Sequence, residues 1–358
     1  MQISTEHRVV QTPSSRGRQL LWITGFFVLS LGLFLGDLLL GSVKIPITEA
    51  LRVLGGVDIE NQIWENILLK IRLPKALTAV FAGGALSVAG LQMQTLFRNP
   101  LAGPSVLGIT AGASLGVALV MLGAGNIASV YSLKHLGLTE SWLLAGAAFA
   151  GASLVMLVIL AVASVIRDNV VLLIVGLMVG NITISLVAVW QYFSNPEEIK
   201  DYVLWTFGSV EGVTGDQLIV LGLAVLVGLV LAFLASKPLN MLLLGENYAR
   251  SLGLGVRQIR FWVILCVSLL AGSVTGFCGP IGFIGIAVPH LTRALLNSSD
   301  HRLIIPGACF LGIAIMLACD IIAHVPGSSI TLPMNAITAL IGSPVVIWVI
   351  MKRRKLQQ

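Results

Sequence analysis

The chain has 358 residues, of which 56% are hydrophobic and 11% charged, with a mean hydropathy of +0.95. Soluble chains carry about 25% charged residues, so this composition excludes a water-soluble globule, and the long uninterrupted apolar runs exclude a porin-like barrel of alternating segments. The net charge of +6 comes from 22 Lys and Arg scattered between apolar runs; they form no basic domain, exclude nucleic acid as a partner and read as a topology signal.

A spanning helix uses about 20 apolar residues to cross roughly 30 Å of hydrocarbon. Residues 1–19 form a polar arm carrying Arg8, Arg16 and Arg18. The run 20–40 is too long for a signal-peptide core and lacks a small-x-small cleavage site, so it is the first span. Further runs lie near 76–96, 105–125, 142–166, 170–193, 217–235, 261–278, 281–296, 303–324 and 333–351. The reading is an all-α integral membrane protein of about ten transmembrane helices, with one permease-like domain over 20–351 and a basic tail at 352–358. Only Gly279-Pro280-Ile281-Gly282 separates the seventh run from the eighth, and Gly-Pro is a turn signal.

If the N-terminus is cytoplasmic and ten spans alternate, the inside segments hold 15 Lys and Arg against 4 acids, and the outside segments 7 against 11. This bias puts both termini in the cytoplasm. Lys44, Arg52, Lys70, Arg72 and Lys75 run against it at the outer side and need a separate reason. Two groups of five spans allow inverted repeats, although no similarity between the halves establishes them.

Three segments stand out. Residues 237–260 read as one short amphipathic helix opened by Pro238 and Asn240, with Glu246 and Arg250 spaced to pair, Leu242, Ala249 and Leu252 on an apolar side, and Gly253 and Gly255 at the end. Such a helix docks into a partner's groove or lies in the lipid headgroups. Arg98-Asn99-Pro100-Leu101-Ala102-Gly103-Pro104 is a tight cytoplasmic turn, since two prolines forbid continuous helix. The run 276–293 carries four glycines and two prolines, which suits either an irregular segment facing the bundle interior or a tight outer turn.

Arg72 and Lys75 precede the second span, with Pro74 where a missing N–H costs nothing. They would anchor to lipid phosphates or meet an acidic partner outside, and the broken charge rule favours the partner. Asp320 reads as the one acid deep in a span, with His324 one turn on as its partner, a structural pair in preference to a proton relay. Cys266, Cys278, Cys309 and Cys319 read as packing residues. No G-x-x-x-x-G-K-[ST] or H-E-x-x-H is present. Gly112-Ala113-Ser114-Leu115-Gly116 matches G-x-S-x-G but sits in an apolar helix, so close packing explains it, as it does the pairs Gly32 with Gly36, Gly176 with Gly180 and Gly272 with Gly276.

Several long motifs occur in one order: IRLPK (71–75), LFRNPLAGPSVLGITAGASLG (96–116), LLLGENYARSLG (242–253), GPIGFIGIAVPHLTR (279–293), DHR (300–302) and LPMNAITALIGSPVVIW (332–348). In these the chain resembles the permease subunits of ATP-binding-cassette importers for iron-siderophores, haem and cobalamin, from about residue 20 onward. The resemblance implies ten spans, a second permease copy in a homodimer or a sister permease, two cytoplasmic ATPases that hold ATP and Mg, an external capture protein, a bacterial inner-membrane location and no cofactor on this chain. It carries ATPase coupling onto Glu246, Ala249, Arg250 and Gly253, and capture-protein docking onto Arg72 and Lys75. It also places Asn99, Asp168 and Asn169 at the narrow cytoplasmic end of the path. His324 departs from the family, which often has Arg after D-x-x-A, and implies a weaker or pH-dependent docking contact. The rival readings are an ion-coupled secondary transporter, which needs an ionisable network at the midplane, and an intramembrane hydrolase acting through Ser114.

Overall fold

A computed structural model describes residues 13–41, 43, 45–57, 61–123, 140–166, 168–213, 215–324 and 331–355. Lys44 and Arg8 lie outside them. Among the described residues the secondary structure is helical, with one isolated bridge between His324 and Thr331. Among the described residues seven helices are long and apolar enough to cross a membrane, and three apolar helices are shorter; together they fall on the ten runs of the sequence.

The first span is α1 (Pro13–Leu39), followed by the short amphipathic α2 (Ile47–Leu54). The second begins earlier than its apolar run. Helix α3 (Gln62–Asn66), a π turn (Ile67–Arg72) and α4 (Leu73–Leu96) form 35 continuous helical residues. Pro74 therefore does not open the helix, as its position before the run suggests. It follows the π turn, whose wider bonding pattern accommodates the missing N–H. Helix α4 is the centre of the bundle, and every residue from Ala82 to Leu96 is buried. It can be so enclosed because it is rich in Ala and Gly; a Cβ on Gly90 would overlap the Gly285 carbonyl, so backbone meets backbone there.

A single 3-10 turn (Pro104–Leu107) leads into α5 (Ile109–Met121), which packs along α6 (Glu140–Val165). Gly112 and Gly116 face Gly151 and Ala147 at this contact, which is the packing reading of the G-x-S-x-G match. Gly32 has open space around it and is no part of such a contact. Helix α7 (Asn169–Phe193) buries only Leu172, Gly176, Gly180, Thr183 and Val187, and α9 (Asp216–Leu234) only Gln217, Leu221, Val225, Gly228 and Ala232. Spacings of three and four make each set one stripe, so these helices sit at the rim with apolar side chains turned outward. Between them lies α8 (Pro196–Thr206), opened by a capping box of Asn195 and Glu198.

The segment 237–260 forms two short helices instead of one, α10 (Ser236–Leu243) and α11 (Glu246–Ser251). Gly245 separates them at a φ of 117°, a conformation a side chain would strain. Leu242 and Ala249 are buried, whereas Leu252 is exposed and leaves the apolar side expected for it. Helix α12 (Val256–Cys278) ends at Gly279, and α13 (Ile284–Leu296) follows after four further residues. Protein groups satisfy this break: Ser209 N donates to Cys278 O at 2.8 Å and Gly282 N to Asn335 Oδ1 at 3.1 Å. Cys278 and Gly279 at its start are buried, whereas Phe283 at its end is exposed. Helix α14 (His301–Ala323) lies against α4 and α1, and α15 (Met334–Lys355) closes the chain against α13.

Candidate functional sites at the two ends of the bundle

At the end of the bundle that carries α10 and α11, residues distant in sequence share one cleft of about 710 Å³, lined by Arg98, Asp168, Asn169, Glu246, Tyr248 and Arg250 among others. Glu246 opens α11, where a carboxylate is favoured by the helix dipole. Its Oε2 accepts Arg250 Nη2 at 3.2 Å, the i,i+4 pair read from the sequence. Its Oε1 accepts Asn169 Nδ2 at 2.5 Å and Arg260 Nη2 at 3.2 Å. Asn169 Nδ2 also reaches Leu96 O, the last residue of α4, at 2.9 Å, and Arg260 Nη1 donates to Ile166 O just past α6 at 2.9 Å. One carboxylate thus ties α11 to the ends of α4, α6, α7 and α12.

Asp168 does a separate job. Its side chain accepts Val170 N at 2.7 Å and Val171 N at 3.4 Å, capping α7. Asn99 lies outside the cleft lining, its carboxamide taken up by Leu101 N at 2.9 Å in an Asx turn. Its neighbour Arg98 takes the cleft position instead: Nη2 donates to Leu242 O at 3.2 Å and Leu243 O at 3.3 Å, joining the Asn-Pro turn to the end of α10. Ala249 is the buried anchor of α11, and Gly253 ends the segment at a φ of 84°. The Asp300-His301-Arg302 motif closes the same end. Asn240 Oδ1 accepts His301 N at 2.8 Å, Asn240 Nδ2 donates to Asp300 Oδ1 at 2.6 Å, and His301 Nε2 lies 2.8 Å from Thr95 Oγ1.

The opposite end holds a buried ion cluster. Lys75 Nζ lies 3.1 Å from Asp37 Oδ1 and 2.8 Å from Asp320 Oδ2, with both carboxylates almost fully buried. Asp320 is therefore not the one acid deep in a span; Asp37, on α1, shares its cation. Arg72 Nη1 donates to Leu38 O at 2.9 Å and Leu39 O at 3.0 Å, and Nη2 to Val43 O. These bonds satisfy the carbonyls left open at the end of α1. Arg72 and Lys75 are both buried, which corrects the expectation of cations displayed to an outside partner. Burial of an unpaired charge is expensive; Lys75 is paired with two carboxylates and Arg72 is satisfied by backbone carbonyls.

His324 completes the cluster. Its Nδ1 lies 3.3 Å from Asp320 Oδ1, and its Nε2 is bonded to Glu211 of the segment between α8 and α9. The bonds to Asp320 and Glu211 push the His324 pKa up to about 10, and His324 holds Glu211 below the usual carboxylate range. The imidazolium stays charged at neutral pH, so this is a standing ion pair and not the titratable surface contact that its position implied. The ion pairs run from Asp37 through Lys75 to Asp320, and from Asp320 through His324 to Glu211, with Arg72 bonded to carbonyls beside them.

Ser114 borders a third cavity, of about 520 Å³, between α5, α7 and α8. Its hydroxyl is bonded to the Tyr202 phenol. Among the described residues no cluster of three His, Cys, Asp or Glu is arranged to hold a metal.

Ten apolar helices among the described residues, with α4 buried among them and polar networks at the two ends, define a polytopic helical membrane protein. The family model of the FecCD transport family matches residues 28–352, and the chain belongs to that family. It is 34% identical over 320 residues to the hemin transport system permease protein HmuU of Yersinia pestis, covering 89% of this chain and 93% of that one. It is 35% identical over 334 residues to the vitamin B12 import system permease protein BtuC of Klebsiella pneumoniae, covering 93% and 94%. The solved structure of a metal-chelate type ABC transporter in an inward-facing conformation shares the fold, with a TM-score of 0.79 at 24% identity over 92% of this chain and 98% of that one. The resemblance drawn from the motifs is borne out.

Proposed function

We propose that the chain is the permease subunit of an ATP-driven importer of a bulky metal chelate in the bacterial inner membrane, with ten spans and both termini in the cytoplasm. A second copy completes the path, an external capture protein delivers the cargo, and two cytoplasmic ATPases hold ATP and Mg. An iron-siderophore is the first cargo; haem or cobalamin is the second reading, favoured by the names of the relatives at 34% and 35% identity. The observation that carries the proposal is the Glu246 hub. A short helix at the polar end is bonded directly to Asn169 of α7 and Arg260 of α12, and through those two side chains to the ends of α4 and α6, so a push on α11 reaches all four. The chain performs no bond chemistry in this reading; it converts nucleotide-dependent movement into rocking of helices.

Reversing Arg250 to Glu tests it. The change places two acids one turn apart on α11, and recovery of the ATPase by the tagged permease falls, together with ATP-dependent uptake into proteoliposomes. Full recovery with full uptake overturns the coupling role. Uptake of ferric siderophore, haem and cobalamin, each with its own capture protein, assigns the cargo. Uptake without any ATPase would instead return the ion-coupled rival.

A further inference from the structure

A groove of about 520 Å³ lies between the C-terminal turns of α6 and the N-terminal turns of α12. Leu160 and Ala163 form its apolar wall on α6. Phe261 and Trp262 flank it from α12 while remaining 47% and 52% exposed. Arg257 and Gln258 stand one turn nearer the polar end. Among the described residues no hydrogen bond or ion pair engages the Arg257 guanidinium, and no acidic residue lines the groove. The walls are fixed in advance, because Arg260, one turn along from Arg257, bridges α12 to Ile166 O beyond the end of α6.

We propose that this groove binds one anionic phospholipid of the inner leaflet, with its phosphate on Arg257 and an acyl chain on the Leu160 and Ala163 wall. Charge and depth argue together. An unneutralised cation at the headgroup level attracts an anionic headgroup, and aromatic side chains at that level favour the membrane interface. The apolar wall below them matches a hydrocarbon tail. A free phosphate would leave that wall uncovered, and a zwitterionic headgroup would bring its own cation toward Arg257.

The test uses the full-length permease in nanodiscs and the quenching of Trp262 by brominated lipids, read as the difference between wild type and Trp262→Phe. Brominated phosphatidylglycerol should quench Trp262 more strongly than brominated phosphatidylcholine. Arg257→Gln should reduce that preference about fivefold, the factor for one cation near the surface, while Arg302→Gln, a change at another exposed cation, leaves it intact. Leu160→Gln should weaken quenching by spoiling the tail contact. Equal quenching by the two lipids overturns the proposal, as does displacement of phosphatidylglycerol by inorganic phosphate. Protection of Trp262 on adding the ATPase also overturns it, because the groove would then be a protein contact.

Discussion

Replacing Lys75 with Met separates a structural cation from a displayed one. Lys75 is 7% exposed and faces Asp37 at 1% and Asp320 at 0%, at 3.1 and 2.8 Å. Met fills much of the same volume but leaves two buried carboxylates without their shared cation. Removing one partner of a buried pair costs about 3–5 kcal/mol, because the charge left behind has lost both water and partner. The two acids are not equally stranded. Asp320 keeps His324 Nδ1 at 3.3 Å, whereas Lys75 is the one ion-pair partner of Asp37 among the described residues. Lys75→Met should therefore lose about 3–5 kcal/mol in equilibrium unfolding from mixed micelles. Adding Asp37→Asn should recover more of that loss than adding Asp320→Asn, and the double-mutant cycles give the difference directly. A Lys75→Met protein within about 1 kcal/mol of wild type, the ceiling for an exposed pair, or better rescue by Asp320→Asn, would refute the reasoning. The first outcome, accompanied by weakened capture-protein docking, would restore the displayed-cation reading.

At the other end, burial decides between two ion pairs on the same carboxylate. Arg250 is 49% exposed, so Arg250→Ala should change stability by no more than about 0.5 kcal/mol. Arg260 is 4% exposed, and Glu246→Gln should cost about 1–3 kcal/mol in the same unfolding assay; equal effects of the two changes would contradict the hub. The His324 contact carries a pH dependence with a fixed sign. Its folded pKa is raised from 6.5 to about 10, so its stabilisation is complete below pH 6.5 and is lost as pH rises toward about 10. Glu211 is lowered from 4.5, so its share is present above that value and is lost as pH falls through the depressed one. A nitroxide at Gly212 should be least mobile by EPR between pH 4.5 and 6.5 and should loosen above that window; mobility that increases from pH 10 down to 6.5 would reverse the assignment.

The sequence shows the helices because apolar runs of spanning length are one-dimensional signals. It also shows the Glu246 and Arg250 pair, because i,i+4 contacts lie within one helix. It does not show that α10 and α11 are separate, since that depends on the backbone at Gly245. Arg260 is read only as a cytoplasmic positive charge; its role depends on α12 bringing it beside α11 and the end of α6. Asp37 is hidden for a related reason. It stands three residues before the end of its apolar run, where an acid reads as part of the outer loop, and only the packing of α1 against α14 and α4 draws it inside. The same packing turns Arg72 and Lys75 inward. A charge count by segment assigns them to the outside water, because it records side of membrane and not depth.

The two polar ends are not independent. The helical residues Gln62–Leu96 run roughly 50 Å at 1.5 Å per residue. Thirteen residues after their start they pass the groups around Lys75, and they finish at the carbonyl of Leu96, which accepts Asn169. Between those points α4 is enclosed by Ala and Gly contacts with α13 and α14 that leave no room for a side chain to shift. A close-packed interior transmits displacement and does not absorb it. Movement at the Glu246 hub therefore reaches the far end chiefly as a displacement of α4 as a whole. Lys75 then moves relative to Asp37 on α1, or Asp37 moves with it. Because Asp37 and Asp320 are almost fully buried and share Lys75, separating them from it is costly. This favours α1, α4 and α14 moving as one block, and leaves the rim helices α7 and α9, each buried along one stripe, as the parts free to change their contacts.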